Sequence, residues 1–266
     1  RSFLKVLEEK KLPISNYTLF ASKHSAGNKV AFLGKDYVVQ ELTETSFDEG
    51  FDFALFSAGG DISKKFAPIA VSKGCTVIDN SSYFRMDENV PLVVPEVNIE
   101  DAYNNNGIIA NPNCSTIQAM LPLKALNDKY KIKRIVYSTY QAVSGAGKSA
   151  LEDLANTNGS KELKKFPHPI YNNCLPHIDS FMENGYTKEE LKMINETRKI
   201  LHEPDLRITA TTVRVPVSNS HSESINIEFE KDFHLENLIQ TLKDFPNLIV
   251  VDNPEKNEYP MAIDAT

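Results

Sequence analysis

The sequence predicts an α/β fold in two parts, a parallel-sheet first half followed by an α+β second half built on a mixed or antiparallel sheet. Three observations carry this expectation. The apolar run Phe53-Ala54-Leu55-Phe56, the turn Ser57-Ala58-Gly59-Gly60, a helical stretch over 61–73 and the short apolar segment 75–79 follow in β-α-β order. That order implies parallel pairing and a right-handed crossover. A second strand-to-helix junction lies at Gly107-Ile108-Ile109-Ala110, followed over 115–130 by apolar residues at 117, 120, 121, 125 and 126, the spacing of an amphipathic helix. Beyond it the pattern changes to longer alternating segments at 135–140, 207–217 and 224–229. In the last of these Ile225, Ile227 and Phe229 alternate with Asn226 and Glu228, as in a sheet covered on one face.

The remaining elements follow in chain order. Phe3, Leu4 and Leu7 have helical spacing, and residues 17–21, 29–33 and 37–42 read as strands between polar or glycine breakers. Ligands of parallel sheets bind beyond strand C-termini, which singles out residues 57–60 and 79–82. Thr187 and Glu190 have capping-box spacing, opening a helix to about His202. Residues 156–185, rich in Pro, Asn and Gly, read as a loop-rich excursion. The chain opens at Arg1 without Met, directly on helical periodicity, holds only 11 glycines and contains no Gly-x-Gly-x-x-Gly, so a fragment is expected.

Composition excludes several classes of function. With 266 residues and 41% hydrophobic content the chain can bury one large core or two moderate ones. Its 36 acidic and 29 basic residues leave a net charge of −7, with no general attraction for nucleic acid or anionic membrane. No apolar run approaches the roughly 18–20 residues that span a bilayer, and the cytosol is the expected compartment. Cys75, Cys114 and Cys174 are too few and too scattered for a disulfide framework or a metal site and are read as free thiols.

One of the three stands apart. Pro112 discourages helix at Asn111 while Ser115 and Thr116 can satisfy first-turn amides, so Cys114 falls at a helix N-terminus. There the partial positive charge favours the thiolate and the amides can hold an oxyanion. Cys75 opens an apolar strand and Cys174 sits in a polar loop, where packing accounts for both. A thiol needs a proton acceptor, and while the other five of six histidines sit in loops or on polar helix faces, His221 lies in the run 218–223 between two predicted strands; it faces either a site or the surface. Arg214 interrupts Val213-Arg214-Val215-Pro216 on a half-buried strand, where a charge requires an anion, either an internal carboxylate or a substrate's. The glycines of Gln141-Ala142-Val143-Ser144-Gly145-Ala146-Gly147-Lys148 serve either a ligand or a turn.

The runs Asn111-Pro112-Asn113-Cys114-Ser115-Thr116 and Ser138-Thr139-Tyr140-Gln141-Ala142-Val143-Ser144-Gly145-Ala146-Gly147 closely resemble the aspartate-semialdehyde dehydrogenases, the bacterial branch best. The likeness spans essentially the whole chain, including Ser81-Ser82-Tyr83-Phe84-Arg85, Val93-Val94-Pro95-Glu96-Val97-Asn98, and Val213-Arg214-Val215-Pro216 leading to His221-Ser222-Glu223. The resemblance implies a Rossmann-like NADP-binding domain at 1–113 and a catalytic and dimerisation domain at 114–266. It implies Cys114 as nucleophile, His221 as acid/base and Gln141 as the residue positioning the substrate. Arg214 would bind the substrate carboxylate, Glu189 its amine, Arg85 and Lys192 the phosphate, and Asn113 would join the substrate site. On the cofactor side it implies Ser22, Lys23, His24 and Ser25 at the 2′-phosphate, Ser57, Ala58 and Gly59 at the adenine, and Ser144 with Gly145 at the nicotinamide. No metal is implied, and the partners are small molecules, phosphate and further copies in a homodimer or homotetramer.

The sequence departs from the family pattern in three places. The first strand and its glycine-rich phosphate loop, and a C-terminal segment returning to the cofactor domain, are absent, so this chain is expected to bind dinucleotide poorly and to risk inactivity. His24 stands where an arginine is usual, with Lys23 beside it. Two other classes share the Cys/His logic, namely related thioester-forming semialdehyde dehydrogenases and a cofactor-free thiol hydrolase.

Overall fold

The computed structural model describes residues 2–157 and 162–265. Arg1, Thr266 and residues 158–161 of the expected excursion lie outside the described residues. The chain divides into two compact units, Arg1–Tyr83 and Phe84–Thr266.

The first unit opens on α1 (Ser2–Lys10), as its periodicity predicts. The three expected strands become four shorter ones, β1 (Phe20–Ala21), β2 (Lys29–Phe32), β3 (Lys35–Val38) and β4 (Gln40–Glu41). Of the segment at 17–21 only Phe20 and Ala21 pair, with Gln40 and Glu41, while the Tyr17 ring makes an edge contact with Phe32, 4.8 Å between centroids. The β2–β3 hairpin closes on Leu33 and Gly34, both at positive φ, the two-residue turn whose twist matches the strands. β5 (Phe53–Phe56), α2 (Gly60–Ser72) and β6 (Thr76–Asp79) form the expected β-α-β unit, with β5 and β6 parallel and Phe56 opposite Asp79. The apolar run of β5 is less covered than it reads: Phe53 is 68% exposed and Leu55 46%, while Phe56 is buried in a stack with Phe47.

The second unit carries α3 (Pro95–Ala102), β7 (Ile108–Ala110), α4 (Cys114–Tyr130), β8 (Ile132–Gln141), α5 (Lys148–Leu154), α6 (Lys188–Ile200), β9 (Arg207–Arg214), β10 (Ser222–Phe229) and α7 (Leu235–Asp244). Its sheet has the order β10-β8-β9, antiparallel on one side of β8 and parallel on the other, so it is mixed. Ile135, Tyr137 and Thr139 of β8 are buried on one face. The Tyr137 hydroxyl meets Thr197 of α6 at 2.9 Å, which ties that helix to the sheet. The alternation of β10 is observed, with exposed Ser222, Ser224, Asn226 and Glu228 between half-buried neighbours. The capping box forms at Thr187 and Glu190, and the other oxygen of Glu190 accepts from the Thr212 amide, setting α6 against β9. No helix among the described residues is long and apolar enough to cross a membrane.

Register decides where chemistry converges. Gln141 ends β8 opposite Arg214, which ends β9, and Tyr140 pairs with Ser222, one residue after His221. Three strand termini therefore open on one edge of one sheet.

Candidate active site

Cys114 begins α4, as expected, but the cap is Asn113 rather than Ser115 or Thr116. Its side-chain oxygen accepts from the Ser115 and Thr116 amides at 3.0 and 3.3 Å. The Ser115 and Thr116 amides thus have an acceptor in the cap, while the Ser115 amide also favours the thiolate. The expected depression of the thiol is overturned. Cys114 is reachable from solvent, yet protein closely surrounds its sulfur. Burial pushes the thiol up, the Glu189 carboxylate adds to this, and the Ser115 amide, Arg85 and Arg214 pull it back only in part.

His221 faces the site. Its Nε2 lies 3.3 Å from the Cys114 sulfur, and its Nδ1 accepts from the Ala142 amide at 2.9 Å. That partner assigns the tautomer: a ring that accepts at Nδ1 carries its single proton on Nε2, aimed at sulfur. Burial and then the Arg214 charge hold the imidazole below its ordinary value, with Glu189 opposing. Ser220, just before it, sits at φ 67°, the left-handed region that bulky residues avoid, and so turns the chain into β10.

Arg214 is buried at the end of β9. The residue is 6% exposed, its Nη1 donates to the Ala142 carbonyl at 2.6 Å, and its buried Nε has no acceptor. Among the described residues it forms no ion pair to a carboxylate; burial lowers its pKa, and the charges of Glu189 and Cys114 oppose this. Main-chain bonds in both directions with Leu175 pin its backbone. A buried guanidinium so held is suited to an incoming anion. Gly145 walls the same space: a Cβ there would stand 3.6 Å from Arg214 Nη1 and 3.7 Å from His221 Nε2. Ser144 and Gly145 lie in a 3-10 turn (Val143–Ala146) whose Val143 and Ser144 amides bond to the carbonyls of Val217 and Ser218.

A buried polar layer joins these parts. Glu189 accepts from Asn113 Nδ2 at 3.0 Å and Gln141 Nε2 at 3.2 Å through one oxygen, and from Lys192 at 3.1 Å through the other. Gln141 also donates to the Ser115 hydroxyl. Lys192 meets Asp179 at 2.8 Å, so any phosphate there would share a cation already paired twice. Arg85 donates through Nε to the Asn111 carbonyl at 2.9 Å and through Nη1 to Glu196 at 3.1 Å. All these residues lie in the second unit. Among the described residues no cluster of potential metal ligands exists.

The remaining expected residues are placed as follows. Ser22, Lys23, His24 and Ser25 form a turn after β1, closed by the Ser25 amide on the Ser22 carbonyl at 2.8 Å, with Lys23 and His24 exposed. Ser57, Ala58 and Gly59 join β5 to α2, Gly59 at φ 99°.

Sequence reading overlooked Glu196 and Lys199, although they continue the Glu189–Lys192 face of α6 at helical spacing. It also overlooked Glu223 as an ionisable group. One Glu223 oxygen accepts from Gln118 at 2.8 Å, one turn beyond Cys114, while the other is buried without a partner. Burial pushes its pKa up to about 8, against the Gln118 hydrogen bond. Between the ordinary carboxylate value and that one, the folded state holds a proton that the unfolded chain has lost, so stability falls as pH rises. Glu223→Gln is expected to flatten this slope and to stabilise the fold by about 1–2 kcal/mol at pH 8. Urea unfolding at pH 5 and pH 8 measures it, and equal slopes in both proteins would contradict it.

An α/β chain with a thiol and imidazole in contact, beside a buried arginine that forms no ion pair to a carboxylate among the described residues, holds the groups that covalent thiol chemistry on an anionic substrate requires. Comparison with known proteins narrows this. Residues 1–105 match the semialdehyde dehydrogenase NAD-binding domain and residues 123–266 the semialdehyde dehydrogenase dimerisation domain. Aspartate-semialdehyde dehydrogenase of Aquifex aeolicus is 54% identical over 272 residues, covering 99% of this chain and 80% of that protein. The crystal structure of Vibrio cholerae aspartate-semialdehyde dehydrogenase II complexed with ASA superposes with a TM-score of 0.86 at 43% identity, over 92% of this chain and 75% of that one. The Candida albicans enzyme with NADP gives 0.71 at 26%, over 91% and 72%. The chain belongs to the aspartate-semialdehyde dehydrogenase family.

Proposed function

We propose that this protein catalyses the NADP-dependent phosphorylating oxidation of aspartate semialdehyde and, in the biosynthetic direction, reduction of aspartyl phosphate toward lysine, threonine and methionine. The observation that carries the reading is Cys114 against His221 beside a buried arginine whose Nε has no acceptor. The Cys114 thiolate adds to the aldehyde carbon, forming the S–C bond and an alkoxide. Arg214 binds the α-carboxylate, Glu189 the amine, and Asn113 and Gln141, bonded to Glu189, keep that carboxylate in place.

His221, whose proton is directed from Nε2 toward the sulfur, stabilises the thiolate and then the alkoxide as a hydrogen-bond donor. Once Cys114, which solvent reaches, has given its proton to water, this form suffices for the acylation half, because collapse of the alkoxide expels hydride and leaves the thioester with no further proton transfer. Action as a proton carrier requires Nδ1 to release the Ala142 amide. A bound nicotinamide cofactor supplies the hydride acceptor. Gly145, where a side chain would enter the space beside His221 and Arg214, leaves room for a flat ring with Ser144. Ser57, Ala58 and Gly59 would take the adenine side, and Ser22, Lys23, His24 and Ser25 the 2′-phosphate. Phosphate, held by Arg85 and Lys192, attacks the thioester carbon; the C–S bond breaks and the thiolate returns.

In this reading residues 1–113 serve the cofactor and 114–266 catalysis and association, and the protein works in the cytoplasm as a homodimer or homotetramer. The name of the domain matched at 123–266 supports association through the second part. NADPH formation by the full-length protein from semialdehyde, NADP and phosphate tests the reading. His221→Gln, which keeps a donor toward sulfur, is expected to retain about tenfold more activity than His221→Ala, itself reduced about 10²–10³-fold. Equal loss in both would show that proton transfer, not donation, is the role of His221.

A further inference from the structure

The α6 helix presents four charged side chains at 189, 192, 196 and 199, spaced to share one face. The first two belong to the substrate reading above, while the mechanism leaves Glu196 and Lys199 without a part. Glu196 is 1% exposed. Through one oxygen it accepts from Arg85 Nη1 at 3.1 Å, and through the other from the backbone amide of Asn113 at 2.6 Å. Asn113 in turn caps α4 immediately before Cys114. One carboxylate therefore joins two segments 28 residues apart in sequence, the turn that aims the nucleophile and the arginine read as the phosphate anchor.

Lys199 completes the arrangement from the next turn of the helix. Its ammonium donates to the carbonyls of Arg85, Asp87 and Val90 at 2.8, 2.7 and 2.8 Å, gathering the loop that carries Arg85. A lysine with three main-chain acceptors fixes a loop without adding a carboxylate that would repel an anion. The Arg85 Nε bond to the Asn111 carbonyl adds a third link between anchor and turn.

We infer that Glu196 is a positioning residue that holds the Cys114 turn and Arg85 in one register, so that the atom forming the thioester and the group delivering phosphate to it are aligned by one side chain. This rests on the phosphate reading of Arg85 given above. It concerns geometry: an amide at 196 cannot serve both partners, because it presents one acceptor where two donors converge. A shortened carboxylate keeps the charge but not the reach.

The test is the rate of Cys114 alkylation by iodoacetamide in the intact chain, followed across pH by peptide mass spectrometry, with and without inorganic phosphate. Glu196→Gln and Glu196→Asp are expected to slow alkylation at pH 7 about tenfold, by loosening the cap, and to weaken protection by phosphate by a similar factor. Thermal melting identifies any variant that fails to fold, and the other then decides. Wild-type pH profiles in a folded variant would overturn the inference whatever phosphate does. An altered profile with no phosphate protection in the wild-type protein, nor any difference on Arg85→Met, would leave the positioning role intact and reject Arg85 as the phosphate anchor.

Discussion

Cys114→Ala is expected to reduce semialdehyde-dependent NADPH formation by at least about 10⁴-fold, because both half-reactions pass through its sulfur and no neighbouring group can replace it. The other two thiols lie elsewhere, Cys75 buried just before β6 in the first unit and Cys174 exposed in a loop. Substrate binding should survive the change, since Arg214 and Glu189 stay in place. A steady-state assay with an equilibrium binding measurement separates the two effects. Residual turnover within about tenfold of wild type would require a different nucleophile. Serine at the same position should fare little better than alanine, since a hydroxyl titrates far above even a raised thiol.

Arg214→Leu is the second large effect. Removing the guanidinium leaves a substrate carboxylate in a low-dielectric site without its partner, and breaking such a pair costs about 3–5 kcal/mol. That corresponds to a loss of about 10²–10³ or more in kcat/KM for aspartate semialdehyde. An aldehyde of similar size without the carboxylate should lose far less, and its rate relative to the natural substrate should rise in the variant. Equal losses on both substrates would show that Arg214 acts through the fold, for instance through its bond to the Ala142 carbonyl, rather than on the carboxylate.

Much of this arrangement is legible in the sequence wherever its determinants are local. Pro112 and the apolar spacing after residue 115 locate the start of α4, and Thr187 with Glu190 locates the start of α6. A cation inside an apolar alternating strand marks Arg214 before any contact is known. Determinants from distant segments are less legible. The capping role of Asn113 depends on which side chain wins the Ser115 and Thr116 amides, and the thiol is raised by burial first and then by Glu189, 75 residues away. The pairing of Glu196 with Arg85 spans 111 residues. Elsewhere the signal is present in the sequence: Leu235, Leu238, Ile239 and Leu242 have the helical spacing of α7, although none of its residues is buried. α3 is harder to read because Asn98 leaves helical geometry within it.

The His221 geometry changes what residue types alone suggest. A histidine beside a cysteine is ordinarily read as a base, yet the Ala142 amide occupies the nitrogen that would have to carry the second proton. The ring is then best suited to hold charge on sulfur and oxygen. Arg214 favours the same role, because its positive charge penalises an imidazolium more than it does a neutral ring. Thiolate formation then relies on donors and cations around the sulfur, offsetting the burial that raises the thiol.

The central claim, a thioester on Cys114, is tested most directly by incubating the full-length protein with aspartate semialdehyde and NADP in the absence of phosphate and mapping the adduct by peptide mass spectrometry. The account predicts an aspartyl group on the peptide containing Cys114, formed with one equivalent of NADPH and discharged when phosphate is added. NADPH formed without that adduct, or an adduct on Cys75 or Cys174 instead, would contradict it.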